Sequence, residues 1–220
     1  MMSLMAERTR GVPPLLRALS RLRVTLALEL AVLAVALWLG LFDPVNALHW
    51  IEREGFGWES LRTGRISTLF TSALLVEGPS QWIRIAVLVA WAVGFYEWKH
   101  GSARCALVYL LTNTLSCLCA ALVQGLCAAW ADPVPRFAEL RDVGASAGAF
   151  GCAGALAIGL PRSLRRSALA GLLAYVALKP LLAPSLLSDL THAISLSLGI
   201  WLGPHLGKLG SAGRARGIRA

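Results

Sequence analysis

Residues 144–151 read Gly144-Ala145-Ser146-Ala147-Gly148-Ala149-Phe150-Gly151 and open an apolar segment that continues to residue 160. Glycines recur here every three or four residues, at 144, 148, 151 and 154, with alanines between them. That pattern lets a helix pack backbone against backbone in the middle of a bundle. It accounts for the glycines but not for Ser146. A hydroxyl at the start of such a helix can return to a backbone carbonyl, or it can be a nucleophile if a base stands beside it.

The surrounding chain shows what the helix is immersed in. Its 220 residues are 56% hydrophobic and only 15% charged, with mean hydropathy +0.63, against roughly 25% charged residues in a soluble domain. Apolar stretches near the length of a bilayer crossing recur at 23–42, 80–98, 102–130, 145–160, 164–183 and 186–206. The expected fold is all-α, a polytopic bundle of six transmembrane helices. It forms one membrane domain over 23–207, between basic tails at 1–22 and 208–220. Five further apolar segments follow the first, and no small-residue cleavage site comes after it, so it reads as a span rather than a signal peptide.

The net charge of +9 is distributed as a membrane topology. Arg8, Arg10, Arg17, Arg21, Arg23, Lys99, Arg104, Arg162, Arg165, Arg166, Lys208, Arg214, Arg216 and Arg219 all fall on one side of a six-span chain. Most acids, including Asp43, Glu52, Glu54, Glu59, Glu77, Glu139 and Asp142, fall on the other. The positive-inside rule puts both termini in the cytoplasm. The basic face is suited to membrane lipid, and no nucleic-acid motif accompanies it. A composition rich in Ala, Leu, Arg and Gly points to a bacterial plasma membrane.

Cys105, Cys117, Cys119, Cys127 and Cys152 all lie within expected spans and read as small apolar core residues. His49 and His100 fall in loops and His205 at a span end, away from other ligand types, so neither a metal nor a cofactor is expected. Residues 43–79 read as a long outer loop, with Trp50, Phe56 and Trp58 among acids suited to the interface. Ile66–Val76 reads as re-entrant or as the entry to the second span.

His192 is the partner that Ser146 needs. It lies about two turns into the sixth span, and both spans enter from the outer side, so the two residues share a depth. An intramembrane histidine is a functional hypothesis by default. The first-turn amides around Ser146 have no intrahelical acceptor and carry the positive end of the helix dipole, so they could hold an oxyanion. Asp142 reads as the cap of that helix, and Asp189 as an interface residue. Gly199 and Gly203 in the sixth span make it the expected close partner of the fourth.

These residues resemble the rhomboid family of intramembrane serine proteases. The family's glycine–x–serine matches Gly144-Ala145-Ser146, its histidine matches His192, and glycines seven and eleven residues further on match Gly199 and Gly203. Glu97 and Gly101 resemble the end of the family's second helix, and Gly64 with Leu69-Phe70-Thr71-Ser72 resembles the approach to it. The likeness runs from about residue 64 to 203. It implies a Ser146–His192 dyad, transmembrane proteins as substrates, and an oxyanion site that includes the Ser146 backbone.

The departures are specific. Ser67-Thr68 stand where the family usually has Trp-Arg. Gln81 and Ile85 stand where it has a histidine and an asparagine that help bind the oxyanion, and Ala147 stands where many members have glycine. The Gln81 amide can donate a hydrogen bond; Ile85 cannot. Two readings follow: an active serine endopeptidase, or a member without activity that binds membrane-protein clients. A transporter would need polar groups at the bilayer midplane. Only Glu29, Arg84 and Asn113 are candidates, and Asn113 reads as an interhelical hydrogen-bonding residue.

Overall fold

The structure is a computed structural model that describes residues 19–130, 137, 139–182 and 184–216, with side chains as far as residue 206. The tail at 1–18, residues 131–136 and the last four residues lie outside the described residues. Within the described residues the chain is mostly helical, with one antiparallel bridge between Phe56 and Asp142.

Helix α1 spans Arg23–Trp38. Its first turn is fastened by Glu97, whose carboxylate accepts from Val24 N at 2.8 Å, Thr25 N at 2.9 Å and Thr25 Oγ1 at 2.8 Å. The helix stops short of the expected residue 42. Gly40 adopts φ +64°, and Leu41 N donates back to Ala36 O at 2.8 Å, so the chain folds over its own last turn and buries Leu41.

The outer segment read as a loop is largely helical. Helix α2 covers Pro44–Glu54, with the Asp43 carboxylate accepting from Val45 N and Asn46 N and proline at the first position. Helix α3 (Trp58–Arg62) and helix α4 (Thr68–Thr71) follow. After a single 3₁₀ turn at Ser72–Leu74 the chain bends by 99° into a long helix. That helix runs as α5 (Pro79–Leu88), a π-turn at Val89–Val93, and α6 (Gly94–His100).

Helix α7 (Ser102–Trp130), helix α8 (Ser146–Ile158) and helix α10 (Leu186–Arg216) form the centre. Helix α8 is buried almost throughout from Ala147 to Ala157. Its glycines explain how. A Cβ on Gly148 would stand 2.5 Å from the Tyr109 ring, and one on Gly151 would stand 2.0 Å from Thr112 Oγ1. On the facing helix a Cβ at Gly199 would meet Gly151 O at 2.0 Å, and one at Gly203 would meet Ile158 Cγ2 at 2.7 Å. Backbone thus approaches backbone along the expected α8–α10 pair.

Helix α9 (Arg162–Leu182) has no buried residue. Lys179 near its end forms an ion pair with Asp189, which also accepts from Ser185 N at 2.9 Å. The Asp189 side chain is only 10% exposed, with Lys179 paired against it.

Of the described helices, Ser102–Trp130 and Leu186–Leu206 are long and apolar enough to cross a membrane, and the bent pair Thr68–Leu74 with Pro79–His100 makes a third if it counts as one span. The fourth expected span is a 13-residue helix, the first has 16 residues, and the fifth carries Arg162, Arg165 and Arg166 in its first turns.

Gln124 is a buried amide inside the apolar helix α7. Its Oε1 accepts from Trp58 N at 2.6 Å, and its Nε2 donates to the carbonyls of Phe137 and Leu140. One side chain therefore ties helix α3 and the loop leading to Ser146 to the central helix. Asn113, expected to bond across helices, is buried with an Oδ1 that meets no partner.

Candidate active site

The strand of chain before Ser146 is held on two sides. Phe56 N donates to Asp142 O at 3.1 Å and Asp142 N to Phe56 O at 2.7 Å. Gly144 then takes φ +104°, which a side chain would strain, and its N–H donates to Ser72 O at 2.8 Å. Tyr109 Oη donates to Ala145 O at 3.4 Å, and Ser195 Oγ donates to Ala147 O. Helix α8 begins at Ser146 itself, so the amides of its first turn face outward without intrahelical acceptors.

Ser146 Oγ lies 2.8 Å from His192 Nε2. The two residues, 46 positions apart, come together because α8 and α10 pack at glycine-to-glycine distance. His192 is 9% exposed. Its ring is covered by Phe150, with centroids 4.5 Å apart, and Phe150 stacks in turn on Tyr175 of α9 at 5.8 Å. Ser188 Oγ reaches the same Nε2 at 3.4 Å. This arrangement holds an imidazole at hydrogen-bond distance from a hydroxyl at a helix N-terminus, which is what proton abstraction from a serine requires.

Gln81 is half-buried, and its Oε1 accepts from Glu77 N at 2.6 Å, which leaves the amide N–H groups as donors. Ile85, one turn further along α5, is buried. Its Cδ1 occupies the space beside Gly144. The residue that replaces the family's asparagine is therefore next to the site and apolar.

Asp142 does not cap α8. The N-cap is Ala145, with no side-chain cap bond, because the bridge to Phe56 turns the Asp142 carboxyl toward α10. There it lines a small buried site with Leu187 and Thr191, and burial pushes its carboxyl up to about 6. Burial of the Asp142 carboxyl against α10 was not expected. Ser188 and Phe150 were not singled out either, although each lies four residues from His192 or Ser146 and so on the same helix face. Among the described residues no three His, Cys, Asp or Glu side chains gather as a metal site.

A family model described as the Rhomboid domain matches residues 63–209, more than half of the chain. No curated protein and no solved structure matches it.

Proposed function

The chain belongs to the rhomboid family, and from that premise we propose that it is an intramembrane serine endopeptidase acting on the transmembrane segments of other membrane proteins. The observation that carries this reading is the 2.8 Å contact between Ser146 Oγ and His192 Nε2 at the start of a buried helix.

In the proposed reaction His192 takes the Ser146 proton at Nε2 while Oγ bonds to the scissile carbonyl carbon. The carbonyl π electrons move to oxygen, and the resulting oxyanion is held by the first-turn amides at Ser146 and by the Gln81 amide. The intermediate collapses with loss of the amine, which takes the proton from Nε2. Water then attacks the acyl-enzyme by the same proton route, releasing the acid and restoring Ser146. The substrate must unwind locally at the site, because a helical backbone engages its own carbonyls. Gly144, Gly148, Gly151, Gly199 and Gly203 serve this site by setting the helix spacing.

The apolar helices indicate an integral membrane protein. The proposal extends this to a six-helix membrane domain over 23–207 in a bacterial plasma membrane, with both basic tails cytoplasmic and in contact with anionic lipid. A second reading, a member that binds membrane-protein clients without cutting them, is favoured by one observation: Ile85 places an apolar side chain beside Gly144. Reconstitution into liposomes with a panel of single-span reporter proteins separates the two. Cleavage by the wild type, lost in Ser146→Ala, supports the endopeptidase. Stable co-purification of uncut reporters supports the client-binding protein.

A further inference from the structure

Helix α8 runs away from Ser146 for 13 residues, about 20 Å along its axis, and cations from two other helices meet at its far end. Lys99, near the end of α6, donates from Nζ to Gly159 O at 3.0 Å. Arg165, at the start of α9, donates from Nε and Nη2 to Leu160 O at 3.3 and 3.2 Å. Two positive side chains therefore converge on consecutive carbonyls. Arg162 and Arg166 share the opening turns of α9, and Arg104 stands in the first turn of α7.

The α8 carbonyls engage part of Lys99 and Arg165, but the other cations stay unanswered. Among the described residues the ion pairs are Arg53–Glu54, Arg62–Glu59 and Lys179–Asp189, and none lies in this cluster. Glu97, an acid at the same end of the bundle, is taken up by Val24 and Thr25. Arg104, Arg162 and Arg166 also sit at helix N-termini, where the dipole and the unpaired amides disfavour a cation. Next to Lys99, the ring of His100 has a buried Nε2 with no hydrogen-bond partner. Cations set against two helix dipoles without an acid make a site that an anion completes.

The neighbouring side chains indicate which anion. Phe95 and Trp98 on α6 and Leu164 on α9 are exposed, so apolar surface continues from the cations along the helices. The Trp98 ring lies 5.3 Å beneath the Arg21 guanidinium, and tryptophan is the residue type that settles at headgroup level. A free phosphate would leave the apolar surface bare. A phospholipid covers both parts, with its phosphate at the cations and its acyl chains along the helices.

We propose that the junction of α6, α7 and α9 binds the phosphate of an anionic phospholipid from the leaflet away from Ser146. Lys99 has two further protons on Nζ, and Arg165 has its Nη1 group free; these meet the phosphate oxygens. Arg104, Arg162 and Arg166 supply the surrounding charge that selects a net-negative headgroup over a zwitterion. The lipid joins α6 to α9, a helix with no buried residue of its own, and so braces α9. The inference needs only a protein in a bilayer, and it stands apart from the Ser146–His192 dyad and from the basic tails.

The test uses full-length protein, stripped of lipid in a neutral detergent, to which phosphatidylglycerol, phosphatidylcholine or inorganic phosphate is added. Native mass spectrometry reads bound lipid, and thermal unfolding reads the bracing of α9. The wild type is compared with Lys99→Gln plus Arg165→Gln, whose amides can still donate to the α8 carbonyls. Arg162→Gln plus Arg166→Gln removes charge from side chains that make no hydrogen bond, and Arg214→Gln plus Arg216→Gln removes the same charge from the tail. Phosphatidylglycerol should bind the wild type more tightly than phosphatidylcholine and raise its unfolding temperature. Each of the first two variants should lose affinity by about 25-fold, at roughly fivefold per basic residue, and the tail variant should change by less than about twofold. Equal binding of the two lipids would overturn the proposal, as would wild-type affinity in both cluster variants or an equal loss in the tail variant. Stabilisation by inorganic phosphate that matches phosphatidylglycerol would overturn the lipid as the ligand.

Discussion

Ile85 Cδ1 lies 2.7 Å from the position that a Cβ on Gly144 would take. The side chain on α5 and the glycine two residues before Ser146 are thus in direct register. In the proposed reaction the oxyanion forms beside this glycine, so the residue at position 85 sets how many donors the site would have. A missing donor costs about 2.7–4 kcal/mol in the barrier when the geometry is ideal.

Ile85→Asn should therefore raise the reactivity of Ser146. We expect roughly a tenfold gain in labelling rate, less than the full value of an ideal donor because the asparagine is not pre-oriented. Ile85 is buried, so the substitution should also lower thermal stability, by about 1–3 kcal/mol for a buried amide without its full set of partners. Labelling rates and unfolding temperatures in one detergent check both halves.

Gly199 and Gly171 should respond oppositely to alanine. A Cβ at Gly199 would meet Gly151 O at 2.0 Å, whereas at Gly171, within helix α9, nothing lies within 4 Å. Gly199→Ala should destabilise by about 1–3 kcal/mol or more, since backbone must move apart. Gly171→Ala should stabilise by up to about 1 kcal/mol through helix propensity. Thermal unfolding of the two variants side by side is the check.

Stability should fall as pH rises through the titration of Asp142. Its carboxyl is raised in the fold to about 6, above the ordinary 3.8. The folded state therefore binds the proton more tightly than the unfolded state, and this contribution to stability is present below about pH 4 and is lost as pH rises to about 6. Asp142→Asn should lack that drop. Unfolding temperatures at about pH 4.5 and pH 7.5 should differ less in the variant than in the wild type.

Glu97→Gln should loosen α1. The carboxylate accepts three hydrogen bonds from Val24 and Thr25, and an amide would point its NH₂ group at one of those donors. A loss of about 1–3 kcal/mol is expected, with limited proteolysis rising first between residues 19 and 38.

The sequence made legible what depends on composition and local spacing. The bounds of α7, the α8–α10 glycine contacts and the Ser146–His192 pair all follow from apolar runs and small-residue periodicity. The outer helix α2 was missed although Asp43-Pro44 is an N-cap followed by a proline at the first helical position; the aromatic and acidic residues after it drew the reading toward a loop. The end of α1 depends on the single positive φ at Gly40. The burial of Asp142 depends on a backbone bridge to Phe56, 86 residues away along the chain, and no local pattern announces such a pairing. The same holds for Gln124, whose three partners come from two other segments.

The central claim is that Ser146 is a nucleophile activated by His192. Purified protein in detergent should be treated with a fluorophosphonate, in which the serine oxygen displaces fluoride, and the adduct located by mass spectrometry, beside Ser146→Ala and His192→Ala. The account predicts a single adduct on the peptide containing Ser146, absent from both variants. A folded wild type that forms no adduct, or a His192→Ala variant that labels as fast as the wild type, would contradict it.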